Sequence, residues 1–195
     1  KTLFPYTTLF RSGVVPMPDT LRNRKYYDLV NCFDSLYDRS KQGKTFDNLI
    51  ELMITPENIM MAYRNIKRNS GSITSGVDGK NITHIERLTP DELIEKIRAK
   101  FRCYISKPVK RVEISKVGDP TKTRPLGIPC IMDRLVQQCI KQVLEPIAEA
   151  KFYENSFGFR PCRGAHDALK QCQTNVNDGY GYVVDMDLEK FFDTV

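Results

Sequence analysis

One segment limits the possible folds more than any other, and it runs from Asp133 to Pro146. Leu135, Val136, Cys139, Ile140, Val143 and Leu144 recur at helical spacing, while Gln137, Gln138, Lys141 and Gln142 take the opposite positions. A helix with so continuous an apolar stripe has to be covered along its length by other elements. The rest of the chain must therefore supply its packing partners. Asp133 is expected to cap the start of this helix, and Pro146 to end or kink it.

The first half of the chain reads helical. Leu21 to Tyr37 mixes polar and apolar residues with weak helical periodicity. Thr55-Pro56-Glu57 combines an N-cap, a proline at the first helical position and an acid in the first turn, with Ile59, Tyr63 and Ile66 following on one face. Thr89-Pro90-Asp91-Glu92 spells a capping box ahead of Leu93, Ile97 and Phe101. Between these two helices, Asn69 to Asn81 holds Gly71, Gly76 and Gly79 among small polar residues. That composition favours a solvated linker, the alternative being a basic-flanked loop lying over a nucleic-acid strand.

The period then changes. Arg111 to Ser115 alternates as a half-buried strand does, and Lys122 to Ile128 can return as its partner around Gly118-Asp119-Pro120. Pro125 and Pro129 restrict the second strand to an edge or end it early. Lys107, Lys110, Arg111, Lys116, Lys122 and Arg124 crowd this hairpin, an arrangement suited to phosphate contact; lysines guarding an edge strand against aggregation is the simpler account. Further on, Phe157-Gly158-Phe159-Arg160-Pro161 reads as a tight turn before a short helix from about Gly164 to Gln173. Tyr182 to Asp187 alternates again and reads as a buried strand carrying Asp185 and Asp187 on one face.

Charge and cysteine usage narrow the function classes. A net charge of +6 over 195 residues favours polyanionic partners. The six cysteines form no C-x-x-C pair, and with two histidines no zinc spacing appears, so reduced thiols in a cytoplasmic protein are expected. No run approaches the roughly 18 apolar residues of a membrane span. The opening residues 1–12 lack a Met start and a leader's cleavage site and are set aside from fold reasoning. Val195 falls within what should be a continuing helix, so the chain is read as a fragment.

Several strings agree in order and spacing. They are Ala62-Tyr63-Arg64 with Gly76-Val77-Asp78-Gly79, Arg124-Pro125-Leu126-Gly127-Ile128-Pro129, Asp133-Arg134-Leu135-Val136-Gln137, Leu144-Glu145-Pro146-Ile147, Ser156-Phe157-Gly158-Phe159-Arg160-Pro161 and Ala165-His166-Asp167-Ala168-Leu169, closed by the acidic strand. From about Phe46 to Val195 this set closely resembles the bacterial group II intron reverse transcriptases, or maturases.

The resemblance implies an α+β, mainly helical fold: the fingers of a right-hand polymerase with a β-hairpin, plus the first strand of the palm sheet. Residues 1–45 would be an N-terminal segment, 46–179 the fingers and upper palm, and 180–195 the start of the palm. It implies RNA-directed DNA polymerase activity by two-metal nucleotidyl transfer with Mg²⁺ or Mn²⁺, together with intron RNA binding in splicing. Asp187 matches the family's first metal-binding aspartate, with the Leu188 backbone carbonyl beside it. Asp185 fits the motif less well and is read as a neighbouring or solvated acid, and Asp193 as a surface or helix residue.

Lys116, Arg124 and Phe192 match nucleotide-binding positions, Phe192 as the ring beneath the sugar. Lys110, Arg111, Lys122, Arg160 and Arg163 are candidate nucleic-acid contacts, with bracing of the tight turn the alternative role for Arg160. Implied partners are an RNA template and RNA–DNA duplex, deoxynucleoside triphosphates, group II intron RNA and a second copy in a homodimer, with no membrane. The family's second acidic motif would lie past Val195. A retron, diversity-generating or defence reverse transcriptase is the alternative within the fold, and a non-catalytic RNA-binding splicing factor the alternative outside catalysis.

Overall fold

The computed structural model describes residues 19–116 and 119–188. Two units make up the chain, one running to Phe152 and the other from Tyr153. In the first, α1 (Asp19–Tyr26), α2 (Val30–Lys41), α3 (Leu49–Met53), α4 (Pro56–Arg68), α5 (Ile82–Ile85) and α6 (Pro90–Arg102) precede a hairpin of β1 (Lys110–Lys116) and β2 (Asp119–Ile128). The long helix α7 (Ile131–Glu149) follows, and α8 (Ala165–Asn177) lies in the second unit. The described residues are thus mainly helical with a two-stranded antiparallel sheet.

Local signals set the helix starts. Thr55 accepts a hydrogen bond from the Asn58 amide at 3.4 Å, and Pro56 occupies the first turn of α4. At α6 the capping box closes in both directions, with the Glu92 amide donating to Thr89 Oγ1 at 3.3 Å and the Thr89 amide to Glu92 Oε2 at 2.8 Å.

Helix α7 is the shared wall of two apolar clusters. Leu135, Val136 and Cys139 pack with Ile59, Ala62 and Ile66 of α4, Ile82 and Ile85 of α5, and Leu93, Ile94 and Ile97 of α6. Val143 joins Leu29, Phe33, Leu36, Met53 and Met61 on the side of α2 and α3. Covering α7 on two sides removes its apolar stripe from water, as the periodicity requires.

Three details of α7 differ from the sequence reading. Pro129 closes β2, so the helix enters directly at Cys130, which is the N-cap residue without a side-chain cap bond. Asp133 therefore lies inside the helix, buried, with its carboxylate 3.6 Å from the Lys100 ammonium. The buried stripe is also rotated: Gln142 is buried and Leu144 exposed, because Asn58 of α4 supplies hydrogen bonds that make a buried carboxamide tolerable. Pro146 does not end α7, which continues to Glu149; so close to the end, a missing N–H costs the helix only a single bond.

The loop after α4 is exposed over most of its length, as expected, but it is also fastened. Arg134 donates to the carbonyls of Gly71 at 2.9 Å, Thr74 at 2.7 Å and Pro129 at 2.8 Å. A Cβ at Gly76 would lie 2.8 Å from Cys130 Cα, so only glycine lets the loop approach the α7 entry this closely.

In the hairpin, Ile114 pairs with Arg124 and Lys110 with Ile128, with an irregularity between Ser115 and Lys116. Strand β2 begins at Asp119, three residues before the expected start, and so takes in Asp119 and Pro120. Pro125 sits opposite Glu113 without breaking the pair, since each strand of a two-stranded sheet has an open edge.

In the second unit, α8 runs beyond the expected Gln173, and none of its residues is buried. The strand expected near Tyr182 to Asp187 is not formed. The segment 180–188 is neither helix nor strand, and Tyr182, Val183, Val184 and Met186 are exposed. Alternation becomes a strand only where a neighbouring strand satisfies its backbone groups, and β1–β2 is the one sheet among the described residues.

Candidate nucleic-acid interface

Strand alternation sorts the basic residues of the hairpin onto two faces. Lys110 and Arg124 share one face with Val112, Ile114, Leu126 and Ile128, while Arg111 and Glu113 belong to the other register positions along β1. Both Lys110 and Arg124 are exposed, and among the described residues neither is held in an ion pair. Arg111 differs: its Nε donates to Glu113 Oε1 at 2.9 Å, which offsets its charge locally. The Lys116 backbone pairs with Asp119 at the irregular end of the ladder, and Lys122 lies within β2.

Ion pairs and hydrogen bonds fix the base of the hairpin. Lys107 donates to Asp78 Oδ2 at 3.2 Å, and the Lys80 amide donates to Asp78 Oδ1 at 3.2 Å. Burial by itself would raise the Asp78 carboxyl, but the Lys80 amide, the Lys107 ammonium and the Cys130 thiol more than offset it and hold the group below its usual range. The Gly76-Val77-Asp78-Gly79 string thus works as a junction: Gly76 abuts the α7 entry and Asp78 secures the segment leading into β1.

A second junction holds the end of α6. Lys100 donates to the Ile105 carbonyl at 3.1 Å, lies 5.4 Å from the Tyr104 ring centre and faces Asp133. Partial burial, then the Asp133 charge and a hydrogen bond to it, raise the Tyr104 phenol.

Arg160 and Arg163 are occupied within their own turn. Arg160 donates to the carbonyls of Tyr153 at 2.7 Å and Ser156 at 2.9 Å. Arg163 donates to the carbonyls of Glu154 and Ser156 and lies 5.6 Å from the Phe157 ring centre. Phe159 and Cys162 take positive φ values of 57° and 56°, so a strained turn is being clamped by two guanidinium groups. Arg160 braces the turn, as the sequence allowed, and Arg163 does the same.

Asp185 and Asp187 are exposed on segment 180–188, as is Leu188. Their hard carboxylate oxygens are of the kind that suits Mg²⁺ or Mn²⁺. Among the described residues no group of three acidic, histidine or cysteine side chains is close enough to hold a metal. Phe192 and Asp193 lie outside the described residues.

Sequence reasoning missed a buried polar network. Gln142 Nε2 donates to Asn58 Oδ1 at 2.8 Å and to the Asn58 carbonyl at 3.0 Å. Asn58 Nδ2 donates to the carbonyls of Met53 at 2.9 Å and Cys139 at 3.1 Å. The available signal was the pair of seven-residue and four-residue repeats, Asn58 with Asn65 and Gln138 with Gln142, which place carboxamides on one face of each helix.

Residues 110–195 match the family model described as reverse transcriptase (RNA-dependent DNA polymerase). Over 152 residues the chain is 36% identical to Protein YkfC of Escherichia coli (strain K12), covering 75% of this chain and 39% of that protein. It is 32% identical over 152 residues to the group II intron-encoded protein LtrA of Lactococcus lactis subsp. cremoris, covering 78% of this chain and 25% of that one. Over 73 residues it is 43% identical to nuclear intron maturase 2, mitochondrial, of Arabidopsis thaliana, covering 37% of this chain and 9% of that protein. The chain spans well under half the length of each of these relatives.

Proposed function

The chain belongs to the reverse transcriptases of the group II intron type, and from that premise we propose RNA-directed DNA synthesis as the activity of a complete protein carrying it. The observation that carries this reading is the family match over 110–195, a span that includes both the basic hairpin and Asp187. Residues 46–179 would serve as fingers and upper palm and 180–195 as the start of the palm. Substrates would be deoxynucleoside triphosphates on an RNA template, and intron RNA the partner in splicing.

The side chains divide the work. Lys110 and Arg124 share one face of the hairpin, and among the described residues neither charge is paired. A guanidinium offers a planar two-pronged fork to a phosphate, so Arg124 would grip the incoming triphosphate; an ammonium acts as a point charge, so Lys110 would hold a backbone phosphate. Lys116 would stand beside Arg124 at the triphosphate, Lys122 at the strand backbone and Phe192 beneath the sugar. Arg160 and Arg163 act one step back, by shaping the turn through Phe157 to Pro161. Asp187, with the Leu188 carbonyl, would hold a divalent cation, which when bound supplies charge stabilisation for phosphoryl transfer. The Lys107–Asp78 pair and the close approach at Gly76 set where the hairpin leaves the helical body.

Salt titration of RNA binding tests the electrostatic part. The logarithm of the association constant should fall linearly with the logarithm of salt concentration, and Lys110→Ala should reduce the slope by about 1. In the complete protein, Asp187→Asn should abolish primer extension on an RNA template while RNA affinity is kept. Salt-independent binding, or full extension by Asp187→Asn, would overturn the reading.

A further inference from the structure

We propose that the cleft between α1, α4 and α7 binds a single unpaired nucleotide of an RNA strand. This deepens the reading above and rests on it, since RNA is the ligand in both, but the cleft is separate from the hairpin.

The cleft measures about 550 Å³, within the range of single-ligand sites. Its walls carry the carboxamides of Asn23, Asn65, Gln138 and Gln142, with Arg68 and Lys141 also lining it. Hydrogen bonds link these amides in one chain that starts at the buried Asn58. Gln142 is anchored on Asn58 at 2.8 Å, Asn65 Nδ2 and Gln138 Nε2 donate to Gln142 Oε1 at 2.8 and 3.2 Å, and Asn23 Nδ2 donates to Asn65 Oδ1 at 2.7 Å. The polar wall is therefore preorganised, and little ordering is left for a ligand to impose.

The network ends on an unmet demand. Asn23 is 1% exposed, and its Oδ1 makes no hydrogen bond. A buried acceptor in that state favours a ligand that brings N–H or O–H donors. An unstacked nucleobase and its ribose bring donors and acceptors together on adjacent edges. The exposed Arg68 and Lys141 suit the flanking phosphates. Glu145 is the one acid in the wall, and Arg24 pairs with it at 2.7 Å, so it does not set the sign of the cleft. An acidic peptide matches less well, because a carboxylate brings only acceptors, which suit Arg68 and Lys141 but not Asn23 Oδ1.

Fluorescence anisotropy with the full chain tests this, using a short labelled single-stranded RNA and a blunt RNA duplex of equal length. Gln138→Leu and Lys141→Ala should each weaken single-strand binding about fivefold and leave duplex binding within about twofold. Lys110→Ala on the hairpin should weaken both alike. Lys141 is exposed and outside the hydrogen-bonded network, so its variant retains the fold even if Gln138→Leu lowers the melting temperature. Equal effects of the cleft variants on both RNAs, or none on either, would overturn the cleft site while leaving RNA binding intact. Displacement of the strand by polyglutamate as effectively as by unlabelled RNA would also overturn it, as would capture of a free nucleoside monophosphate without any loss of strand binding in the variants. Absence of all RNA binding by the wild-type chain would instead remove the proposed function itself.

Discussion

Asn58→Ala should be among the most damaging single substitutions in the helical unit, although the residue is polar. Asn58 is fully buried and ties three helices: its Nδ2 reaches the carbonyls of Met53 and Cys139, and its Oδ1 receives Gln142 Nε2. Three neutral hydrogen bonds are worth about 0.5–1.5 kcal/mol each, and partners stranded away from water add to the loss. A total near 3–4 kcal/mol is expected, including a small cavity, which corresponds to a fall in Tm of about 10 °C for a chain of this size. Asn65→Ala is the control. Asn65 also donates to Gln142 and accepts from the buried Asn23, but it is half-buried and makes two such bonds against three for Asn58, so its cost should be smaller, about 1–2 kcal/mol. Thermal melts followed by circular dichroism measure both. Asn58→Leu combined with Gln142→Leu should cost less than the sum of the single changes, because neither partner of the Asn58–Gln142 bond is then stranded by loss of the other. Equal, small shifts for Asn58→Ala and Asn65→Ala would refute the claim that the network holds the helices together.

Other substitutions probe the junctions and the thiols. Gly76→Ala should destabilise by about 1–3 kcal/mol through overpacking against Cys130, while Gly71→Ala, which meets nothing within 4 Å, should be close to neutral in the same melts. The lowered Asp78 carboxyl stabilises the fold above its unfolded value, and that contribution is lost as pH falls through the still lower folded value. Acid titration below about pH 3.9 should therefore destabilise wild type more than Asp78→Asn. Burial pushes the Cys139 thiol up to about 12, so a thiol reagent at mildly alkaline pH should label the exposed Cys103, Cys162 and Cys172 and reach Cys139 only on unfolding; mass spectrometry assigns the sites. In the complete protein, Arg124→Ala should raise the nucleotide KM about thirtyfold with template affinity kept, which steady-state kinetics would read.

Features that depend on neighbours along the chain were legible in the order of residues. Capping at Thr55 and Thr89, the helical periods of α4, α6 and α7, the hairpin and the proline-limited end of β2 are all local, because each is set by contacts within a few residues. The ordered motifs also identified the family. Which face of α7 is buried depends instead on distant packing, since Asn58, 84 residues away, makes a buried Gln142 satisfied and leaves Leu144 outside. Long-range contacts likewise pin the glycine loop, through an Arg134 that lies 63 residues from Gly71, and the folded turn is what turns Arg160 and Arg163 into its clamps. The strand near Asp187 shows the same division: alternation can propose a strand, but only a partner across the ladder can make one.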